Sequence, residues 1–504
     1  MDDTNPEKEN DEYVNSIKES VKWLGFDWGN HLYFASDYFS KFYDFSEALI
    51  KNQFAYIDSQ TPEQIKVNRG TLTQVGKNSP FRERKPDENL DLFRKMKSGI
   101  FPEGAHVLRA KISMASPNLN LRDPVIFKIR HVPHHRQGKE WCIYPLYDFA
   151  HPLSDAIEKI THSLCTLEFE DHRPIYNWVL EKVKKCGFFK NQELPQQIEF
   201  ARLNLSHHVL SKRKLSIFVE SKTVKGWNDP RMPTLEGCKN RGYSPKGFIQ
   251  FNEMIGVTKS DSNIDFSVLE ECMRENLNKE SERRIAVFDP LKLVIENIEL
   301  NHHELCYAPK HPKNQSLGKR NLPFTKEIFI ERSDFELQPN KNFFRLKPNG
   351  KVRLRYAYVI ECTGYEVDKN NRVLMVKAKI FKDSKSGTKG SDNYKVKGNI
   401  HWLSSKKFIN AEIFFYENLL KEPDISEKND DNRKNGYVLN HNSVSVKKAI
   451  LESSLELSKP NDKFQFERHG YFTVKENDLN KKLLRCGQIV SLKDSWSKKN
   501  EHKK

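Results

Sequence analysis

Asp2 and Asp3 stand directly ahead of Thr4-Asn5-Pro6, two carboxylates at the place where the chain enters its first helix. Such a pair can take the ammonium group of a small substrate. Equally, Asp, Thr and Asn are the residues favoured just before a helix, where their oxygens accept from free backbone amides. A second group is Ala201-Arg202-Leu203-Asn204 followed by Leu210-Ser211-Lys212-Arg213-Lys214. Its hydroxyl and cationic groups could hold a triphosphate and stabilise departing pyrophosphate; the alternative is an ordinary solvated basic run. In Val352-Arg353-Leu354-Arg355-Tyr356 a strand places Arg353 and Arg355 on one face and the apolar residues on the other, which suits phosphate or base contacts. His131, His134 and His135 lie close together, but no Cys or acidic residue stands at ligand spacing, so no protein-bound metal is expected.

The elements that must position these groups are legible in outline. Asn5 can cap a helix opened by Pro6, with Tyr13, Val14, Ile17, Val21 and Leu24 at helical spacing and an end near Gly25. A second amphipathic helix is expected over 36–57. Turn formers from Gly70 to Pro80 precede a helix at 86–98, and strands follow over 105–147, notably His106–Ile112 and Val125–Ile129. Pro152 can open a helix beginning at His151, whose Leu153, Ile157, Ile160 and Leu164 form one buried stripe before a strand at Cys165–Phe169. Helix beside strand predicts α/β layering. Residues 203–280 read as mostly helical, and beyond about 285 short β-rich runs predict barrels. Lys421 to Asn435 reads as a surface loop and Trp496 to Lys504 as a basic tail.

At 504 residues the chain needs several cores. Its 32 Phe and 17 Tyr exclude a disordered chain. The formal charge of +16 attracts polyanions, nucleic acid above all. Eight cysteines without a C-x-x-C pair suggest neither a zinc ribbon nor a disulfide framework, and fit a reducing cytoplasm. No apolar run approaches the roughly 18 residues that span a bilayer, so no membrane partner is expected.

Taken together, these segments resemble the class I aminoacyl-tRNA synthetases, and among them the glutamine-specific family, in which the K-M-S-K-S loop of the class reads M-S-K-R-K. Here it reads L-S-K-R-K. The resemblance extends over D-D-T-N-P-E-K-E, W-L-G-F-D-W, G-T-L-T-Q-V-G-K-N-S-P, W-C-I-Y-P-L-Y-D-F-A-H, H-S-L-C-T-L-E-F-E-D-H-R-P, G-W-N-D-P-R-M-P-T-L, V-R-L-R-Y-A-Y and F-Q-F-E-R. It implies an α/β Rossmann-like catalytic domain (1–36 and 147–202) split by an α+β acceptor-stem-binding insertion (37–146). A helical connector with the S-K-R-K loop (203–280) and two all-β anticodon-binding barrels (281–504) follow. The implied reaction joins glutamine to its tRNA through an adenylate made from ATP, with Mg²⁺, by a cytoplasmic monomer.

The resemblance assigns Asp2, Tyr147, His151, Cys165 and Gln197 to glutamine. To ATP it assigns Thr166, Arg202, Leu203, Leu210, Ser211 and Lys212, the last two as catalytic charge stabilisers. Glutamate enzymes of the same subfamily carry an Arg where this chain has Cys165. A neutral thiol would leave a glutamate carboxylate unpaired at a cost of roughly several kcal/mol, so glutamine is expected. For the tRNA, Leu72 resembles the wedge that opens the first acceptor pair, although it could instead pack its own hairpin. Asp171 would read the acceptor minor groove, or be a plain surface carboxylate. Arg283, Arg345, Arg353, Arg355, Gln465 and Arg468 would surround splayed anticodon bases. Asn342 and Phe344 stand where longer polar residues are expected. The family's H-I-G-H motif, which precedes the Asp-Asp segment, has no counterpart here. The resemblance therefore implies a chain that begins after the first strand and lacks half its ATP site, with a non-catalytic tRNA-binding protein as the alternative.

Overall fold

The computed structural model describes residues 1–7, 9–421 and 439–493. The loop expected from Lys421 to Asn435, Lys421 itself apart, and the tail from Trp496 lie outside the described residues. Contacts divide the chain into two compact units, Met1–Leu203 with Gly256–Ser262, and Asn204–Ile255 with Asn263–Lys504.

The first unit contains an antiparallel sheet whose strands Ala55–Asp58, Val107–Ala110, Val125–Ile129 and Ile143–Pro145 pair in sequence order. Helices Phe39–Lys51 and Pro86–Lys97 bury Phe39, Phe42, Leu49 and Phe93 in a core shared with Phe127 of the sheet and Phe149 of a following helix. Edge-on ring pairs such as Phe93–Phe127 and Phe127–Phe149, 5.7 and 5.8 Å between centroids, add about 1 kcal/mol each beyond burial. The expected α/β layering is present as a strand–helix–strand unit: His162–Thr166 runs parallel to Gln196–Phe200, and helix Arg173–Lys185 connects them.

Several boundaries differ from expectation. The first helix is Asp11–Trp23, capped by Asn10, whose side chain accepts from the Tyr13 amide. Asn5 instead accepts from the Glu7 amide in a tight turn, so the Asp-Asp pair caps no helix. Two cap-type residues compete here, and the acidic first turn Asp11-Glu12 favours the later one. The 36–57 segment divides: its helix stops at Lys51, Gln53 takes φ 58°, and Ala55–Asp58 forms a buried strand. Helix Tyr147–Ile157 opens a full turn before His151 and carries Pro152 inside it. Leu164 falls on the following strand, 68% exposed, so it leaves the predicted buried stripe.

The second unit begins with helices Lys212–Glu220, Leu235–Arg241, Pro245–Ile255 and Phe266–Glu280. Two seven-stranded sheets follow, and each closes by the same device. In one, Asn399–Ile400 pairs with one edge strand and Trp402–Ser404 with the other, so the sheet returns on itself around His401. In the other, Glu282–Arg284 and Ala286–Val287 join the two edges around Ile285. Closure removes the open edges that would otherwise template association. All eight cysteines are free thiols. Among the described residues no helix is long and apolar enough to cross a membrane.

Candidate functional site

The strand–helix–strand unit carries Cys165, Thr166 and Gln197, and the helix before it carries Tyr147 and His151. Tyr147 and His151, one turn apart on their helix, stack at 5.0 Å. His151 Nε2 lies 2.9 Å from Ser163 Oγ and 3.2 Å from Asp155, which also accepts from the Tyr176 hydroxyl at 2.9 Å. Burial alone would depress the His151 imidazole, but the hydrogen bond and charge of Asp155, with Asp2 and Asp148 adding, carry it above its usual value. Burial and then Asp2 push the Tyr147 phenol up.

Asp2 is thus close enough to act on both side chains, is exposed, and has no partner of its own among the described residues. Asp3 is its opposite. It is buried, it accepts from the Ser36 amide and hydroxyl at 2.9 and 2.7 Å, and its carbonyl accepts from His134 at 2.5 Å. One carboxylate of the pair is structural and the other is open.

Cys165 is half-buried opposite Glu199 in the strand register. Burial, then Glu199, raises its thiol pKa, while Arg173 opposes them. That cation is committed, its Nε donating to Glu199 at 2.7 Å. Gln197 departs from expectation, because its side-chain NH₂ donates inward to the Phe169 carbonyl and to Glu199, both at 2.9 Å, rather than toward a ligand. Thr166 ends its strand, Arg202 pairs with Glu168 at 3.1 Å, and Leu203 is half-buried.

In the second unit Ser211 is the N-cap of helix Lys212–Glu220, and its side chain makes no capping bond. Lys212 and Arg213 are exposed on the first turn, whereas Lys214 is buried, so only part of the S-K-R-K run can meet a ligand. Leu210, half-buried, precedes them. Leu215 and Phe218 anchor the helix in a cluster with Val224 and Met232. A helix N-terminus carrying cations is suited to phosphate.

Two further regions suit nucleic acid. In the first unit Leu72 is 79% exposed, which excludes packing in its own hairpin. Its loop is held from beneath by the buried Arg122, whose Nη1 donates to the carbonyls of Arg69, Thr71 and Gln74 at 2.8, 2.9 and 2.7 Å. Gly70, at φ 74°, permits the turn. Asp171 is held through its backbone carbonyl by Asn118 at 2.7 Å and Asn120 at 3.3 Å, with its carboxylate unpaired among the described residues.

In the second unit Arg283, Arg355, Gln465 and Arg468 line one cavity of about 200 Å³ together with Tyr356 and Glu467. Arg468 makes two 2.7 Å bonds to the buried Asp334, which also meets Arg345 at 3.1 Å. Glu467 takes Arg355 and the buried Arg320, both at 2.7 Å, and the Tyr356 hydroxyl at 3.1 Å. Gln465 donates to the Tyr471 hydroxyl at 2.8 Å. Arg283 is held by the Asn278 carbonyl at 3.1 Å.

Arg353 does not join the lining. Its guanidinium donates to the Ser384 and Ser391 carbonyls at 2.8 and 2.9 Å. The strand ends at Leu354 and Tyr356 takes φ 66°, so the alternation that would have paired the two arginines stops between them. Sequence reading missed the two organising carboxylates, Asp334 and Glu467. The only cue was the E-R adjacency in F-Q-F-E-R.

The profile described as tRNA synthetases class I (E and Q), catalytic domain, matches residues 1–279, and two anticodon-binding domain profiles of the same group match 281–380 and 399–475. The chain therefore belongs to the glutamate and glutamine branch of the class I tRNA synthetases, with a catalytic domain followed by two anticodon-binding domains. Within that branch it is similar to glutamine–tRNA ligases. The enzyme of Polynucleobacter asymbioticus is 52% identical over 98% of this chain and 84% of its own length. That of Nitrosomonas europaea is 52% identical over 99% and 88%. A solved glutamate–tRNA ligase from Elizabethkingia meningosepticum overlaps 56% of this chain and 62% of its own at a TM-score of 0.40 and 17% identity, too partial to bear on the fold.

Proposed function

We propose that the chain attaches glutamine to its tRNA in two steps, forming glutaminyl adenylate from ATP and then transferring the glutaminyl group to the terminal ribose. The observation that carries the amino-acid choice is Cys165, a neutral side chain beside Arg173, a cation already bound by Glu199. A glutamate side chain would face the Glu199 carboxylate, which already holds Arg173 at 2.7 Å and Lys259 at 3.8 Å, whereas an amide needs only neutral partners. Similarity to glutamine–tRNA ligases points the same way.

In this reading Asp2 binds the α-ammonium, with Tyr147 and His151 shaping the pocket around it. Thr166, Arg202 and Leu203 contact ATP, which arrives as its Mg²⁺ complex, and Leu210 abuts it. Ser211 and Lys212 stabilise the phosphates as pyrophosphate leaves, where a single well-placed group contributes about 3 kcal/mol. Leu72 and Asp171 engage the acceptor end, and the Arg283–Arg355–Gln465–Arg468 cavity takes an unstacked anticodon base. The division into 1–36 with 147–202, 37–146, 203–280 and 281–504, action as a monomer, and a cytoplasmic location belong to the same proposal.

Aminoacylation of the cognate tRNA with labelled glutamine and labelled glutamate in parallel tests it. Preferential glutamine charging is expected. Preferential glutamate charging contradicts the argument from Cys165.

A further inference from the structure

Glu331, His401 and His469 bring one ligand atom each to within 4.8 Å of the others, and none of the three is among the residues lining the cavity. His401 is the residue around which the first barrel closes, and Glu331 ends a strand of that barrel. His469 belongs to the turn between Phe466 and Gly470 of the second barrel. The cluster therefore spans the junction of the two.

Glu331 Oε1 lies 3.1 Å from His469 Nε2 and 3.5 Å from His401 Nε2. Donors about 2.05 Å from a tetrahedral zinc ion are separated by about 3.3 Å, a spacing these two distances bracket. Both contacts are ion-pair approaches to one carboxylate oxygen, and neither is an aligned hydrogen bond. His401 is fully buried with both ring nitrogens unpartnered, and the buried Nε2 of His469 is unpartnered as well. Both rings approach the same oxygen without the alignment of a hydrogen bond, which is how ligands approach a shared central atom.

The surroundings favour a cation. The Phe288 and Asp289 amides donate to Glu331 at 2.9 and 3.2 Å and fix its orientation, as an outer shell does for a ligating carboxylate. The positive charge of adjacent Arg468 is offset by its two bonds to Asp334. His469, one-quarter exposed, leaves a side open for a water ligand.

The other cluster of similar composition, Asp3, His134 and His135, lacks these properties. His134 Nε2 is spent on the Asp3 carbonyl at 2.5 Å, and its Nδ1 accepts from the Arg136 and Gln137 amides.

We propose that Glu331, His401 and His469 form a structural site for a divalent transition metal of the zinc type, with water as fourth ligand, which ties the two anticodon-binding barrels together beside Arg468. Two imidazoles and a carboxylate select such an ion over Mg²⁺ or Ca²⁺, which prefer all-oxygen shells.

The test is to strip the enzyme with a chelator and titrate it with Zn²⁺ by calorimetry and with Co²⁺ by visible absorption. Wild type should take one Zn²⁺ per chain at this site and unfold at a higher temperature when loaded. His469→Gln, chosen because the residue reaches solvent, should lower affinity about 100-fold or more and abolish the thermal shift, with its circular dichroism unchanged. His135→Gln should bind as wild type does. Absence of Zn²⁺ binding by stripped wild type, equal binding by folded His469→Gln, or loss of the bound ion in His135→Gln would each overturn the assignment.

Discussion

The Leu72 loop and the arginine cavity, both proposed to meet tRNA, are prepared by opposite means. In the loop one buried arginine, Arg122, gathers three backbone carbonyls so that an apolar side chain stands out in solvent. In the cavity two buried carboxylates, Asp334 and Glu467, gather four arginines so that cations face an opening. A wedge needs a stiff backbone and no charge, whereas a base pocket needs charges whose repulsion has been offset beforehand. In both, the organising residue is buried, whereas Leu72 and Arg355, each proposed to meet the tRNA, reach solvent.

The comparison breaks first if the buried carboxylates do not organise the cavity. Glu467→Gln leaves Arg355 without its anion and removes one of the two carboxylates that face the buried Arg320. Losing one side of such a network should cost about 4 kcal/mol of stability and weaken tRNA binding. Denaturant melts and filter binding check both, and unchanged stability would show that the charges do not depend on it.

A smaller effect is expected on the other side. Arg122→Met removes the side-chain donor from three carbonyls, of which, among the described residues, only Gln74's keeps the Thr71 amide, and should cost about 3 kcal/mol and raise hydrogen exchange across residues 70–76. Exchange no faster than in wild type would mean that Gly70 and the Thr71–Gln74 turn suffice to order the loop.

The amino-acid pocket gives the mildest test. His151 sits above its usual 6.5, so its charge stabilises the fold fully below pH 6.5, and that contribution fades as pH rises through the raised value. Asp155 is depressed below 3.8, so its contribution is present above 3.8 and is lost as pH falls through the depressed value. Asp155→Asn removes the principal influence holding His151 up and leaves burial in place. The His151 midpoint, followed by NMR, should then fall below 6.5. A midpoint still above 6.5 would assign the shift to Asp2 and Asp148 instead.

The same contrast explains what the sequence disclosed. The residues proposed to meet ligands lie in contiguous blocks, so Leu72, Lys212 and Arg355 could be picked out by type and spacing. The residues that organise them do not lie close in sequence. Arg320 and Glu467 are 147 positions apart, and Arg468 and Asp334 are 134 apart, so only the closed barrels bring them together. Asp3 reaches His134 across 131 positions, which is why the histidine run showed no acidic neighbour. Boundaries were misplaced where local chemistry offered two solutions, as at Asn5 against Asn10. Pro152 misled for a related reason: proline favours a helix start, yet this helix accommodates it in its second turn.

The Leu72 loop, placed at the acceptor end, is proposed to act on transfer, and the arginine cavity on binding. Leu72→Ala, Arg355→Ala and Arg353→Ala, measured together for tRNA affinity across salt and for single-turnover aminoacyl transfer, test it most directly. Leu72→Ala should change stability by less than about 0.5 kcal/mol, retain affinity and slow transfer. Arg355→Ala should weaken affinity and lower the salt slope by about 1. Arg353→Ala, whose guanidinium is occupied by backbone carbonyls, should leave the slope unchanged. Equal losses of affinity in Leu72→Ala and Arg355→Ala, with transfer intact in both, would contradict the division of labour.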